Sequence, residues 1–209
     1  MKKFILFTVI AAFSARLLAA DTNLASAAVE AKYTASIEGR TTEILKVLAL
    51  SDTNQTAKVH DLILAHYRDL RSWHEENDAR LKAAKADTNA TAQIRGSLKV
   101  LHDHFLSALA VDLSPEQIEQ VKDRLTYGKV QFTLAGYVSQ YPNLSAEHQA
   151  EILRLLKEAR EEAMDGGSAA EKTAVFQRYK GRINNYLSKQ GVRAEKPKAG
   201  AATNAVIVN

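Results

Sequence analysis

The sequence predicts an all-α protein, a single-domain bundle of about six helices with short loops. Three observations support this fold class. Helix-favouring alanine, leucine, glutamate and lysine are abundant, and only three prolines occur in 209 residues. Apolar residues recur at spacings of three and four, and no useful stretch shows the alternation of a half-buried strand. The chain is also long enough to bury one sizeable core.

Residues 1–20 are predicted to be a cleaved signal peptide. A basic Met1-Lys2-Lys3 precedes an apolar run, and small residues stand at a plausible cleavage point after Ala20. The uninterrupted apolar run is about ten residues, whereas a membrane-spanning helix needs about twenty. We therefore expect a periplasmic or secreted protein that has no membrane contact after cleavage.

The charge of the mature chain gives no sign of a nucleic-acid partner. The formal charge of the whole chain is +4, but Lys2, Lys3 and Arg16 lie in the predicted leader, so cleavage leaves +1. The remaining basic residues are interleaved with acids. Because the chain has no cysteine, a disulfide, a thiolate metal site and a cysteine nucleophile are all excluded.

Three helices are predicted in the first half of the mature domain, which spans residues 21–191. They cover residues 24–50, residues 53–85, and the stretch from a polar connection at 85–91 to about Asp112. Asp52 is the predicted N-cap of the second, with Gln55 three residues later. Their apolar residues at helical spacing are Ile37, Ile44, Leu45 and Leu48, then Val59, Leu62, Ile63, Leu70 and Trp73, then Ile94, Leu98, Leu101, Phe105 and Leu109.

The fourth helix has the clearest start. Ser114 caps it, Pro115 occupies the first helical position, and Gln117 completes a capping box. Its apolar side is predicted to carry Ile118, Val121, Leu125 and Phe132. Gly128 and Gly136 are expected to bend or interrupt it.

The last two helices are predicted from Ser145 and from Ser168, each an N-cap. We expect the first of them to end at Asp165-Gly166-Gly167, because glycine adopts the left-handed conformation that closes helices. Gly191 should close the last helix in the same way. Residues 192–209 have too few apolar anchors to fold and are predicted to be a disordered tail.

Lysines intrude on the apolar sides of these helices. Lys180 projects between Phe176 and Leu187, Lys172 falls on the same side, and Lys122 intrudes similarly on the fourth helix. An ammonium in such a place must extend to water, pair with a carboxylate or line a wet cavity. The groups can therefore mark a binding site, or they can serve only to fix the packing register of the helices.

Two histidines are candidates for proton transfer. His74 and Asp78 stand one turn apart on one face, a spacing that suits an acid/base or metal-ligand pair. The commoner explanation is a partly buried histidine satisfied by a carboxylate. His102 lies nearer the apolar stripe than His104, which must point elsewhere. His66 and His74 are about 12 Å apart along their helix and cannot share a metal ion. We predict no metal and no cofactor.

The run from Leu113 to Leu187 resembles the bacterial domain of unknown function family 3826, whose members carry close versions of V-K-D-x-x-T-Y-G, E-A-R-E-x-A-M-D-x-G-S and K-Y-K-G-R-I-N-N-Y-L. Matching positions are Val121–Asp123, Thr126–Gly128, Glu158–Glu161, Ala163–Asp165, Gly167, Ser168 and Tyr179–Leu187. Residues 58–82 resemble the family as well. Arg178 departs from the pattern, in which lysine is expected. The resemblance implies a secreted helical protein whose gene often lies among genes for polysaccharide breakdown.

These observations lead to a hypothesis for function. We expect an accessory factor in polysaccharide utilisation that binds or processes an acidic oligosaccharide, because Arg and Lys hold carboxylates while His and Tyr can move protons. The substrate-binding candidates are Lys122, Arg160, Asp165, Lys180, Arg182 and Asn184. The catalytic candidates are His74, Asp78, His102 and Tyr127.

Two alternatives remain. One is a lyase or hydrolase that acts on uronate-containing glycans; no G-x-S-x-G, H-E-x-x-H, phosphate-binding or EF-hand motif assigns it to a known catalytic class. The other is a periplasmic holdase chaperone of the Spy and CpxP type, since Leu113-Ser114-Pro115-Glu116-Gln117 resembles their L-T-x-x-Q signature. A capping signal explains that run equally well.

Overall fold

The computed structural model describes the backbone of residues 8–194 and the side chains of residues 26–194. Its helices are α1 (Thr8–Leu48), α2 (Thr53–Ala83), α3 (Thr88–Asp112), α4 (Pro115–Leu125), α5 (Lys129–Gln140), α6 (Ala146–Met164) and α7 (Ala169–Lys189). No strand occurs in this range, which confirms the all-α prediction. The start of the predicted leader and residues 195–209 of the predicted tail lie outside the described residues. In the range searched, no helix has the length and apolar character to span a membrane.

The chain forms two compact units that divide inside α2, after Tyr67. In the first unit, the buried residues include Ile37 and Ile44 of α1 and Val59 and Ile63 of α2, as their spacing predicts. Asp52 caps α2, since its carboxylate accepts a 2.7 Å hydrogen bond from the Gln55 amide. The predicted start of this helix is therefore confirmed.

In the second unit, α6 packs against α4, α5 and α7. Its stripe of Ile152, Leu156, Ala159 and Ala163 is completely buried. The core around this stripe also contains Val130 and Tyr137 from α5, and Phe176, Tyr179, Ile183 and Leu187 from α7. Burial of the larger of these side chains contributes about 1.5–3 kcal/mol each, so this three-helix core makes a large contribution to the stability of the unit.

The predicted fourth helix is interrupted at Gly128, one of the two glycines expected to bend or interrupt it. It therefore forms two helices, and the described residues contain seven helices where about six were expected. Tyr127 and Gly128 both adopt left-handed backbone, with φ of 61° and 63°. That break rotates the following residues, and Phe132 is consequently 79 % exposed instead of buried. The prediction for Phe132 was wrong for this reason. Gly136 was also expected to interrupt the helix, but it lies inside the unbroken α5.

The turn between α6 and α7 also differs from the prediction. Among the described glycines, only Gly128 and Gly191 have positive φ, so Gly166 and Gly167 do not adopt the left-handed conformation. Asp165 ends α6 with ordinary helical backbone. Space is limited at Gly166, because an added Cβ would lie 3.0 Å from Cγ and 3.2 Å from the backbone nitrogen of Lys172. The constraint is space, not backbone conformation. Gly191, at φ 71°, does close α7 as expected.

Lys172 explains why this turn is so tight. It is only 5 % exposed, and its ammonium donates hydrogen bonds to the carbonyls of Leu125 (3.1 Å) and Met164 (3.2 Å). These are the last residues of α4 and α6, whose final carbonyls have no partner within the helix. One buried ammonium thus donates to one terminal carbonyl in each of two helices. The helix dipoles favour a positive charge at these ends. Lys180, the more prominent lysine in the sequence pattern, is only half-buried.

Replacing Lys172 by methionine should lower the free energy of unfolding by about 2–4 kcal/mol, because each buried carbonyl left without a donor costs about 1–3 kcal/mol. The measurement is urea unfolding followed by circular dichroism. Lys180→Met is the matched control and should change the free energy of unfolding by less than about 0.5 kcal/mol. Equal effects of the two substitutions would contradict the capping role of Lys172.

Candidate functional site

A cleft of about 640 Å³ opens in the second unit between α2, α3, α6 and α7. Trp73, His74 and Asp78 line it from α2, and Leu98 and His102 line it from α3. The segment around the α6–α7 turn forms the facing wall. Two histidines and several carboxylates therefore meet in one open cavity, as expected of a site for proton transfer.

The central pair is His102 with Asp165. Buried Phe105 and Leu109 fix the orientation of α3, which turns His102 inward and leaves His104 exposed. The Nδ1 atom of His102 lies 2.9 Å from a carboxylate oxygen of Asp165, the residue that ends α6. This hydrogen bond is the main cause of a raised pKa for His102; burial opposes it, and the charges of Asp165, Glu161 and Asp103 add to the increase. The His102 side chain is 14 % exposed.

His74 is held on both sides. Its Nδ1 lies 2.9 Å from a carboxylate oxygen of Asp78, and its Nε2 lies 2.8 Å from the backbone carbonyl of Asp165. Burial lowers the pKa of His74, but the Asp165 carbonyl, Asp78 and the charge of Glu171 outweigh this, and the pKa is raised. Because both neighbours of the ring are acceptors, the imidazolium form satisfies them best. The predicted spacing of His74 and Asp78 thus corresponds to a real contact.

Asp165 connects the two histidines, through its carboxylate to His102 and through its carbonyl to His74. The carboxylate keeps a proton on Nδ1 of His102, so the ring presents Nε2 for exchange of a proton with a bound molecule. The nearest carboxylate to that nitrogen is Glu161, at 3.8 Å. A histidine oriented by an aspartate, with its second nitrogen at an open cleft, is suited to general acid/base chemistry.

Gly167 allows His74 to approach the turn. An added Cβ at this position would lie 2.7 Å from Cγ of the His74 ring, closer than real Cβ atoms come to other atoms. Trp73 packs edge-on against the same ring, with centroids 5.1 Å apart, and donates a 2.8 Å hydrogen bond to the Ser97 hydroxyl. The ring of His74 is therefore held by Gly167 on one side and by Trp73 on another.

The cleft lining carries more acidic than basic groups. Its carboxylates are Asp78, Asp103, Glu161, Glu162, Asp165 and Glu171, and its permanently basic residues are Arg95, Lys99 and Arg178. Lys99 pairs with Asp103, and Arg178 pairs with Glu162. Arg95 has no carboxylate partner in the part of the chain that the structure describes. It is the basic group most available to a ligand.

Arg160 belongs to a buried ion cluster and does not reach into the cleft. It is 2 % exposed, and it donates to Asp123 (2.7 Å), Glu119 (2.6 Å) and Glu161 (3.2 Å). Lys122 lies 3.0 Å from the other oxygen of Glu161. Burial opposes the charge of Arg160, but its two carboxylate partners on α4 outweigh that effect and raise its pKa. Two predicted ligand-binding cations, Lys122 and Arg160, thus bind the protein's own carboxylates.

The remaining predicted site residues do not line the cleft. Arg182 is exposed, lies 4.5 Å from the centroid of the Tyr179 ring and pairs with Glu158 at 3.4 Å. Asn184 accepts a 2.8 Å hydrogen bond from the Tyr137 hydroxyl, whose burial raises the pKa of Tyr137 to about 12. Lys180 presents its backbone carbonyl to the same hydroxyl at 3.2 Å. Tyr127 is 44 % exposed in the break between α4 and α5.

Sequence reasoning missed Glu161, Arg95 and Trp73 as cleft residues. Arg95, Lys99 and His102 are spaced by four and three residues, which places them on one face of α3, so this signal was present in the sequence. Glu161 lies in an ordinary charged helix surface and carries no such signal. In the range searched, no group of three or more histidines and carboxylates has the geometry to hold a metal ion.

Residues 34–201 match the model of a family described as "Protein of unknown function (DUF3826)". The chain belongs to this family. No curated protein matches the chain significantly. The match contains every residue of the cleft, including the His102–Asp165 pair. The recognition of the family from its motifs is therefore confirmed, and the cleft is a feature of the family's domain in this member.

Gly167→Ala should displace the His74 ring and lower the free energy of unfolding by about 1–3 kcal/mol, as expected for overpacking. Thermal unfolding and the ring proton signals of His74 in NMR spectra provide the measurements. Gly181→Ala on α7 is the matched control, because an added Cβ there meets no atom within 4 Å. It should stabilise by about 0.5–1 kcal/mol through helix propensity. Unchanged His74 signals in Gly167→Ala would contradict the contact.

Asp165→Asn should lower the pKa of His102, because the bond to this carboxylate is the main cause of the increase. NMR titration of the His102 ring measures the change directly, with exposed His104 as an internal reference signal.

The same variant should alter the pH dependence of stability. The folded-state pKa of His102 lies above its ordinary value of 6.5. The contribution of the His102–Asp165 interaction to the free energy of unfolding is therefore complete below pH 6.5 and is lost as pH rises through the raised pKa. Asp165→Asn should therefore show a smaller decrease of stability than the natural protein as pH rises above 6.5. A pH dependence identical to that of the natural protein would exclude the coupling.

Proposed function

We propose that this protein is an exported accessory factor in polysaccharide utilisation, whose cleft binds an acidic oligosaccharide and acts on it by proton transfer at His102. The observation that carries the proposal is the His102–Asp165 pair at an open cleft, with Nε2 of His102 free of a direct hydrogen bond to protein. The predicted leader supports export, and the resemblance to a family of secreted proteins whose genes often lie among genes for polysaccharide breakdown supports the biological setting.

The pair can serve either kind of reaction considered for uronate-containing glycans. A neutral His102 can accept the proton next to a sugar carboxylate, as a lyase requires. A protonated His102 can donate to a leaving oxygen, as a hydrolase requires. The raised pKa of His102, caused first by its bond to Asp165, makes the protonated form more populated than in an ordinary histidine at the same pH. We therefore infer that His102 acts first as an acid.

The charges of the cleft indicate how an acidic sugar would lie. Arg95 is seven residues before His102 on α3, which places it on the same face about 10 Å away along the axis. The end of the cleft that contains His74 and His102 is lined by the carboxylates of Asp78, Glu161 and Glu171. These negative charges repel a ligand carboxylate. A ligand carboxylate is favoured at Arg95, and uncharged hydroxyls are favoured beside His102. This placement favours the hydrolase over the lyase, because a lyase removes a proton from the carbon that carries the carboxylate.

The holdase alternative has weaker support. It requires a large exposed apolar surface. The most exposed large apolar side chains among the described residues are Val111 (80 %), Phe132 (79 %) and Val100 (68 %). They come from two helices, α3 and α5, and isolated exposed apolar residues of this kind are normal on soluble proteins.

The test is calorimetric titration with tetragalacturonate and with its carboxyl-reduced form, which has the same linkages and no charge. Arg95→Gln should weaken binding of the acidic tetramer about tenfold or more, since a charged hydrogen bond contributes about 1.5–3 kcal/mol. The same substitution should hardly change the affinity for the carboxyl-reduced tetramer, which has no carboxylate for Arg95 to bind. The control is Arg182→Gln, which removes another exposed arginine, one of the sequence-predicted site that does not line the cleft.

Turnover is measured on the same ligands, from reducing ends and from ultraviolet absorbance of an unsaturated product end. His102→Gln should abolish any turnover even at tetramer concentrations that saturate the variant, so that a loss of affinity does not explain the result. Absence of binding by both tetramers would refute the proposal. Suppression of client aggregation by the same non-binding protein would favour the holdase alternative, and a stronger effect of Arg182→Gln than of Arg95→Gln would place the site on α7.

A further inference from the structure

Glu161 is held in place from the side opposite the cleft. One of its carboxylate oxygens lies 3.2 Å from Arg160, and the other lies 3.0 Å from Nζ of Lys122. Arg160 is itself buried and anchored to Glu119 and Asp123 on α4. The carboxylate therefore has little freedom to rotate, because a rigid cluster that spans α4 and α6 fixes both of its oxygens.

The oxygen bound to Lys122 also faces His102. It lies 3.8 Å from Nε2 of that histidine, beyond the 2.7–3.2 Å range of a direct hydrogen bond. Both groups line the cleft. A separation of this size between a donor and an acceptor is one that a single intervening oxygen can bridge. The fixed position of Glu161 preserves the gap, since turning toward His102 would break its contacts with two cations.

We propose that Glu161 and His102 together form a subsite for one hydroxyl group of the bound molecule. The hydroxyl donates its hydrogen to Glu161 and accepts one from Nε2 of the protonated His102. The subsite rests on the proposed function in one respect: the hydroxyl is taken to be that of a bound sugar. It would lie at the end of the cleft beside His102, where the surrounding carboxylates repel a ligand carboxylate. It also names Glu161 as a ligand-binding residue, which no pattern in the sequence indicates.

The first test needs no oligosaccharide. A high-resolution crystal structure of the unliganded protein should show a water oxygen within hydrogen-bond distance of both Glu161 Oε2 and His102 Nε2. A Glu161 carboxylate that turns away, or a gap without an oxygen, would overturn the subsite. Because water is the probe, this result is independent of whether tetragalacturonate binds.

The second test compares neighbouring carboxylates. Glu161→Gln should weaken binding of the carboxyl-reduced tetramer about tenfold or more, because the acceptor loses its charge. Glu162→Gln, which also lines the cleft but pairs with Arg178, should change the affinity by less than about threefold. Glu161→Asp, which keeps the charge but shortens the reach, should lose affinity as well. Equal affinities of Glu161→Gln and Glu162→Gln would overturn the subsite.

The outcomes separate the two proposals. If the natural protein binds neither tetramer, the proposed function is refuted. The subsite is then tested only by the crystal structure, in which a water oxygen should lie between Glu161 and His102. If the tetramers bind and the Glu161 variants match the natural protein, the function stands and the subsite is refuted. Thermal unfolding of each variant verifies that the fold is retained, and the Arg160 cluster should tolerate Glu161→Gln because Glu119 and Asp123 remain.

Discussion

The second unit depends on how the carbonyl end of α6 is satisfied. Helix ends leave carbonyls without partners and carry a partial negative charge. Here two side chains supply the donors: the ammonium of Lys172 bonds to the carbonyl of Met164, and the ring of His74 bonds to that of Asp165. Asp165 adds a carboxylate at the same negative end, which is unfavourable by itself. The hydrogen bond to His102 offsets this cost, so the histidine pair and the helix end stabilise each other.

This arrangement makes the cleft part of the architecture. Lys172 joins the ends of α4 and α6 to the first turn of α7, and the short turn between α6 and α7 follows from that connection. The position of Asp165 is set by these contacts before any ligand is present. The central carboxylate of the cleft belongs to Asp165, the C-cap residue of α6, so its position does not depend on a flexible loop. Proton transfer is favoured by groups that are preorganised in this way.

The elements with local causes could be predicted from the sequence. Capping residues Asp52, Ser114, Ser145 and Ser168 act within three residues of themselves, and each begins a helix as expected. The apolar stripe of α6 and the inward side of His102 follow from helical periodicity alone. The contact of His74 with Asp78 was within reach because four residues separate them on one helix.

What could not be predicted depends on partners distant in the chain. His102 and Asp165 are 63 residues apart, and His74 and the Asp165 carbonyl are 91 apart, so no spacing rule connects them. The pattern of α7 alone could not show whether Lys172 or Lys180 is the buried lysine, because the carbonyls that Lys172 binds belong to α4 and α6. An interruption was expected at Gly128, but the positive φ of Tyr127 beside it was not, because tyrosine rarely adopts that conformation.

The close packing of Gly167 on His74 links two positions that are 93 residues apart in the sequence. Neither can change alone without cost: a side chain at 167 has no room while the imidazole is present, and a smaller residue at 74 leaves a gap beside the turn and an unsatisfied Asp165 carbonyl. Within the family these two positions should therefore be exchanged together or not at all. An ancestor that altered one of them would have passed through a less stable intermediate, which restricts how these two positions can change over evolutionary time.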